Sequence, residues 1–181
     1  MAEGASTSAI PSDVFRACVG EFATGVTVVA GEHDGVRAGM TLNSFVSVSL
    51  DPLLVLVSLA HGSRTLQVVR QSGRFAVSML HREQTEAAVA LATPGAPFPA
   101  EHMTSTPDGF VVVRDAAATQ HCELEQTVAA GDHDLALGRV VGITHKGGEP
   151  LIFHRGRFGG MVVDTVVPPA QALAIEEGAG W

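Results

Sequence analysis

The chain has 181 residues, 46% of them hydrophobic and 17% charged, which is enough apolar material for one sizeable core and one domain. Net charge is −8 and Lys and Arg form no run. That argues against a nucleic-acid or anionic-membrane partner, because both are held by clustered cations. Cys18 and Cys122 stand far apart without metal-ligand spacing, so both read as small buried hydrophobes in a reducing compartment, with no metal site.

Met1 to Pro11 lacks the cationic and apolar regions of a signal peptide, and no apolar run approaches the length of a membrane span. The expectation is a soluble, cytoplasmic protein whose residues 1–11 form a disordered arm. Ser12 is a plausible N-cap, and Phe15, Cys18, Val19 and Phe22 follow at amphipathic-helix spacing, giving about three turns closed by Ala23-Thr24-Gly25. Val26 to Ala30 and Val36 to Met40 read as strands joined by an Asp34-Gly35 hairpin turn.

Thr41 to Ser49 reads as one further strand. With a period of two, Val46, Val48 and Leu50 share one face, and Asn43, Ser47 and Ser49 share the other. Small neutral donors and acceptors suit close approach by a flat polar ligand that carries its own charge. The plain alternative is an edge strand with a serine-rich solvent face. Leu53 to Leu59 is a near-continuous apolar run, expected as a central strand buried on both faces.

Ser63 to Ser72 has helical spacing and stops at Gly73; Phe75 to Leu80 reads as a strand, and Glu83 to Ala92 as a helix. The proline-rich stretch 93–109 reads as a long irregular cover. Strands follow at Phe110 to Val113, Cys122 to Val128, Leu135 to Ile143, Leu151 to Phe153 and Arg157 to Val163, with Gly131-Asp132 and Gly147-Gly148 turns joining antiparallel neighbours. The domain is expected over residues 12–165 and a weakly patterned tail over 166–181. Hairpin-linked short strands with helices at the edges indicate a mainly β, antiparallel, Greek-key-like barrel. A doubly wound dinucleotide fold is disfavoured, because the second half lacks strand–helix alternation and no Gly-x-Gly-x-x-Gly follows a strand.

Four segments carry candidate chemistry. Phe22 to Thr27 places Gly25 between Thr24 and Thr27 at a helix-to-strand handover, and the Thr41 to Ser49 segment is the second. In the third, Ser63, Arg64 and Thr65 open a helix, bringing free N–H groups, hydroxyls and a guanidinium together as a phosphate requires. The fourth pairs Gly131-Asp132-His133-Asp134 with His154-Arg155-Gly156-Arg157-Phe158. Each alone is as readily an ordinary cap, turn or surface charge pair.

In this order the segments resemble the flavin reductase-like family with an FMN-binding split barrel, the short reductases that feed two-component flavin monooxygenases. The similarity runs from about Phe15 to Phe158, through Phe22-Ala23-Thr24-Gly25-Val26-Thr27, Gly39-Met40-Thr41-x-Asn43-Ser44-Phe45-x-Ser47-Val48-Ser49-Leu50-Asp51-Pro52, Ser63-x-Thr65, Ser72-Gly73-x-Phe75, Gly131-Asp132-His133 and Arg155-Gly156-Arg157. The resemblance implies FMN or FAD beside Thr24, Gly25, Val26, Thr27, Thr41, Asn43, Ser44, Ser47, Val48 and Ser49. It puts the flavin phosphate on Ser63, Arg64 and Thr65. NADH or NADPH would be the hydride donor, handled by His133 with Arg155 or Arg157 near Phe158. It further implies a homodimer and a monooxygenase partner that receives reduced flavin. The chain departs from the family in having no tyrosine, with His154 and Phe158 flanking the late Arg-Gly-Arg, and in having His61-Gly62 before the phosphate-loop serine. A flavin carrier or a split-barrel flavin oxidase without NAD(P)H activity is the alternative.

Overall fold

The computed structural model describes residues 10–161, so the N-terminal arm up to residue 9 and the tail over 166–181 lie outside the described residues. Helix α1 (Ser12–Val19) comes first, followed by β1 (Thr24–Gly25), β2 (Thr27–His33), β3 (Val36–Leu42), β4 (Val46–Leu50) and β5 (Leu53–Ala60). Helix α2 (Arg64–Ser72) leads to β6 (Arg74–Met79), and α3 (Thr85–Ala92) to β7 (Met103–Ser105) and β8 (Val111–Val113). The chain continues through β9 (Ala118–Ala130), β10 (His133–His145), β11 (Ile152–His154) and β12 (Arg157–Gly159).

The main sheet runs β3-β2-β6-β9-β10-β5-β4, all antiparallel, so the expected mainly β, antiparallel barrel is what the chain forms. Its edges β3 and β4 are consecutive in sequence yet do not pair, and the barrel is split between them. Local chemistry sets the hairpins. Asp34 and Gly35 both take positive φ, 48° and 75°, between the paired His33 and Val36, as a two-residue turn of the twist-matching type demands. Ser63 caps α2 by accepting from the Leu66 N–H at 3.2 Å, and Gly73 closes it in the left-handed region at φ 67°.

The core has two large parts on opposite sides of β2 and a small third cluster of Ala76, Phe110 and Val112. Val29, Val55, Val57, Leu59, Phe75, Val77 and Cys122 fill the barrel beneath Leu66 and Val69 of α2. Val28, Ala30, Leu80, Ala88, Leu91, Val111 and Val113 pack outside it under α3 and β8. The strands buried on both faces are therefore β2 and its neighbour β6 and not, as expected, β5. In β5, Val55, Val57 and Leu59 are buried, whereas Leu54, Leu56 and Ser58 on the other face are only half covered. An apolar run reports hydrophobicity, but two-sided burial needs a second layer, and α3 with β8 supplies it to β2.

Other expectations change for similar reasons. The helix starts at Ser12 itself, Pro11 takes the cap position with no side-chain hydrogen bond, and none of its residues is buried. Cys18 is accordingly exposed, while Cys122 is buried. The helix also ends earlier than expected, and Thr24–Gly25 instead form β1, paired with β11. The segment 41–49 is not one strand: residues 43–45 break it between β3 and β4. The cover 93–109 contains a short strand, β7, paired to β8. The Gly147-Gly148 turn leads from β10 to β11, which pair with other strands and not with each other.

Candidate functional site

Parts of three of the four candidate segments meet at one end of the barrel: Asn43 and Ser44, the Ser63–Thr65 start of α2, and the Gly131–Asp134 half of the fourth. Ser44, in the break between β3 and β4, clasps β5: its hydroxyl accepts from the Ser58 N–H at 3.1 Å and donates to the Ser58 carbonyl at 3.3 Å. Two residues on, Ala60 pairs with His133 at the start of β10. The Ala60 carbonyl accepts from the Ser63 N–H at 3.1 Å, and the Asp132 carbonyl accepts from His61 N–H at 2.9 Å. A continuous strip thus runs from Asn43 and Ser44 through Ala60 to the α2 N-terminus and the Gly131–His133 turn.

Beside the strip lies a groove of about 550 Å³, lined by Arg37 to Met40 of the edge strand β3, by Gly62 to Thr65, and by residues 90–99 after and at the end of α3. No carboxylate lines it, although acidic residues outnumber basic ones 19 to 11 in the chain. Arg37 is partly neutralised by Glu32 at 2.6 Å. Arg64 has no ion-pair partner among the described residues and leaves its guanidinium exposed at the mouth of the groove. Gly62, at φ 77°, would have open space around an added Cβ, so it is required by the turn and not by crowding.

The remaining candidates fall elsewhere or are already engaged. The Thr27 hydroxyl donates to the Leu42 carbonyl at 3.0 Å in a buried bond, and the Thr41 hydroxyl to the Ala88 carbonyl of α3 at 2.7 Å. Both hold the scaffold together. Ser47 lies opposite Val55 on the half-buried face of β4, and Ser49 accepts from the Asp51 N–H at 3.2 Å; a bulge lies between these two serines. Val48, with Val46 and Leu50, points outward and is exposed. Thr24 and Gly25 belong to the small sheet β1-β11-β12 with Arg157 and Phe158, Arg155 stands in the β11–β12 turn, and a separate hollow of about 650 Å³ opens between Ala23 and the last three. Val26, the next residue, is buried in the outer core. The Thr24 hydroxyl is buried with no hydrogen-bond partner. Arg155 is tied to Glu21 by a fork of bonds at 2.7–2.9 Å, which holds the Glu21 carboxyl below its usual range.

His133 is half-buried, and its Nδ1 meets the Asp132 carboxylate at 2.7 Å. That bond keeps the Asp132 carboxyl below the ordinary carboxylate range. Sequence reasoning overlooked Asp134. It is 2% exposed and pairs with Arg70 of α2 at 2.7 Å and with His61 Nε2 at 3.4 Å. An aspartate at an inward-facing position of an alternating strand was the available signal.

The split antiparallel barrel with an anion-accepting helix tip beside a carboxylate-free groove defines a class of nucleotide-cofactor domain. The model of the "Flavin reductase like domain" family matches residues 19–161, and the chain belongs to that family. A "Probable flavin reductase" of Rhizobium meliloti (strain 1021) is 38% identical over 84% of this chain, which spans 51% of that relative's length. The "Flavin-dependent monooxygenase, reductase subunit HsaB" of Rhodococcus jostii (strain RHA1) is 34% identical, covering 90% of this chain and 85% of that protein. Among solved structures, the "NADH:FAD oxidoreductase SgcE6 in complex with NAD and FAD fragments" of Streptomyces globisporus C-1027 superposes with a TM-score of 0.80 at 32% identity, covering 89% of this chain and all of that one.

Proposed function

We propose that this protein is an NAD(P)H:flavin oxidoreductase that delivers reduced FMN or FAD to a partner flavin monooxygenase. The observation that carries the reading is the groove beside the strip, which joins the N-terminus of α2, an Arg64 without an ion-pair partner among the described residues and a lining free of carboxylates. Such a surface fits a phosphate-bearing ligand, because backbone N–H groups, the helix dipole and a guanidinium all favour an anion there. The two nucleotides together supply the hydride chemistry, from nicotinamide C4 to flavin N5, and little acid–base assistance is needed.

The protein's task is placement. Ser63, Arg64 and Thr65 hold the phosphate. Ser44 and Asn43, with Gly39 and Met40 of the edge strand, border the flat ring, while His133 borders the nicotinamide. Small side chains permit the close stacking that the transfer distance requires. Arg155, Arg157 and Phe158 line the second hollow with Thr24 and Gly25 close by in the small sheet, Thr27 and Thr41 brace the scaffold, Val26 packs in the outer core, and Ser47, Val48 and Ser49 lie along β4. A homodimer follows from the same reading. The outer face of β4, β5, β9 and β10 stacks Val46, Leu56 and Leu137 in one row, with Leu135 and Val128 in the next, Val46 and Val128 exposed and the three leucines half-buried in the protomer. Free cysteines and a nicotinamide donor fit a reducing cytoplasm.

The test is steady-state oxidation of NADH and NADPH with FMN, FAD and riboflavin supplied in turn. Flavin-dependent loss of nicotinamide absorbance is expected. Its absence with every flavin, while flavin still binds, would instead indicate a carrier.

A further inference from the structure

We infer that Asp134 is a positioning residue for the phosphate-holding turn: its buried carboxylate locks α2 and the turn before it onto β10 and so sets how tightly the flavin phosphate is gripped. The inference rests on the flavin-reductase reading above. Asp134 faces the barrel side of β10 opposite Leu59, whereas His133 faces the other way. Its Oδ2 takes Arg70, seven residues beyond the Ser63 cap and therefore two turns along the same face of α2. Its Oδ1 takes His61, the residue just before Gly62-Ser63. One carboxylate thus holds the helix at its far end and the turn at its near end. Those two contacts, added to the burial of Leu66, Val68 and Val69, set the helix rotation and the aim of its first N–H groups.

A buried aspartate next to an anion site is electrostatically the wrong sign for phosphate, since it offsets the positive charge of Arg70. That makes the sign of its removal decisive. If position dominates, losing the carboxylate lets α2 swivel and weakens the grip. If through-space charge dominates, the same change frees positive charge and tightens it. Position should dominate, because the groups that touch the phosphate need angular alignment, whereas Arg70 is about half exposed and its charge is screened by water.

The experiment compares equilibrium binding of FMN and riboflavin, read by flavin fluorescence quenching, in the full-length protein and in Asp134→Asn. Riboflavin lacks the phosphate and serves as the internal control. The expected result is an FMN Kd about tenfold higher, the scale on which residues supporting a ligand-contacting group commonly act, with the riboflavin Kd within about twofold. Tighter FMN binding, or an equal loss for both flavins, would overturn the inference, the first by showing a charge effect and the second a merely structural one. So would wild-type protein that holds FMN no more tightly than riboflavin. Should Asp134→Asn fail to fold, Arg70→Lys keeps the charge but loses the planar fork, and it must selectively weaken FMN in the same direction. The NADH oxidation assay reports separately: protein that discriminates FMN from riboflavin yet oxidises no NADH loses the reductase assignment while this inference stands.

Discussion

At the scale of single residues, the most informative contrast is between the two cysteines. Cys122 is fully buried beside Phe75, and burial pushes its thiol up to about 12. The thiolate is the reactive form, so alkylation of Cys122 at neutral pH should be undetectable in the native protein and complete in denaturant, as mass spectrometry of labelled peptides would show. His133 carries a second prediction. His133→Ala should raise the NADH KM about tenfold, near 1.4 kcal/mol, with the flavin KM little changed. The same change removes the bond that depresses Asp132. A carboxyl with a depressed folded value contributes stability above its ordinary range and loses it as pH falls through the folded value. In His133→Ala, the Asp132 carboxyl should therefore titrate at higher pH, a shift that carboxyl-resolved NMR can follow. Asp132 is fully exposed, so global stability should hardly respond.

At the scale of elements, the turns and caps were legible because their chemistry is local. Asp34-Gly35 and Gly131-Asp132 form the expected two-residue hairpin turns, and Ser63 with Gly73 bounds α2 as its sequence indicates. Gly73→Ala tests one such device. Nothing lies within 4 Å of an added Cβ, so the cost is backbone strain alone, about 1 kcal/mol by urea denaturation. Gly138 tests packing instead. A Cβ there would stand 2.5 Å from Phe75 Cζ and 2.9 Å from the Cys122 Cβ, so Gly138→Ala should cost more, about 1–3 kcal/mol. Strand ends were less legible. Thr41 to Ser49 alternates as one strand would, yet Asn43 to Phe45 leave the ladder so that the chain can cross the split between the barrel's two edges. Period-two alternation records which way side chains point and carries no information about which strand, if any, lies alongside.

At the scale of the molecule, the apolar outer face of β4, β5, β9 and β10 has the clearest consequence. The homodimer proposed above makes a direct prediction: replacing Val46 or Leu56, which pair in register, with Lys should shift the protein toward monomer in light-scattering chromatography without abolishing its β circular dichroism. The family, the antiparallel barrel and the tip of α2 were all readable in one dimension, because family motifs, hairpin turns and helix caps are contiguous runs of chain. What only tertiary structure decided was adjacency between distant residues. The Ser44 clasp on Ser58, the reach of Asp134 to Arg70, the use of Thr27 and Thr41 as struts, and the choice of β2 and β6 over β5 as doubly covered strands are all of this kind. Each depends on which layer packs over which, a global balance of burial and hydrogen bonding that no short window of sequence contains.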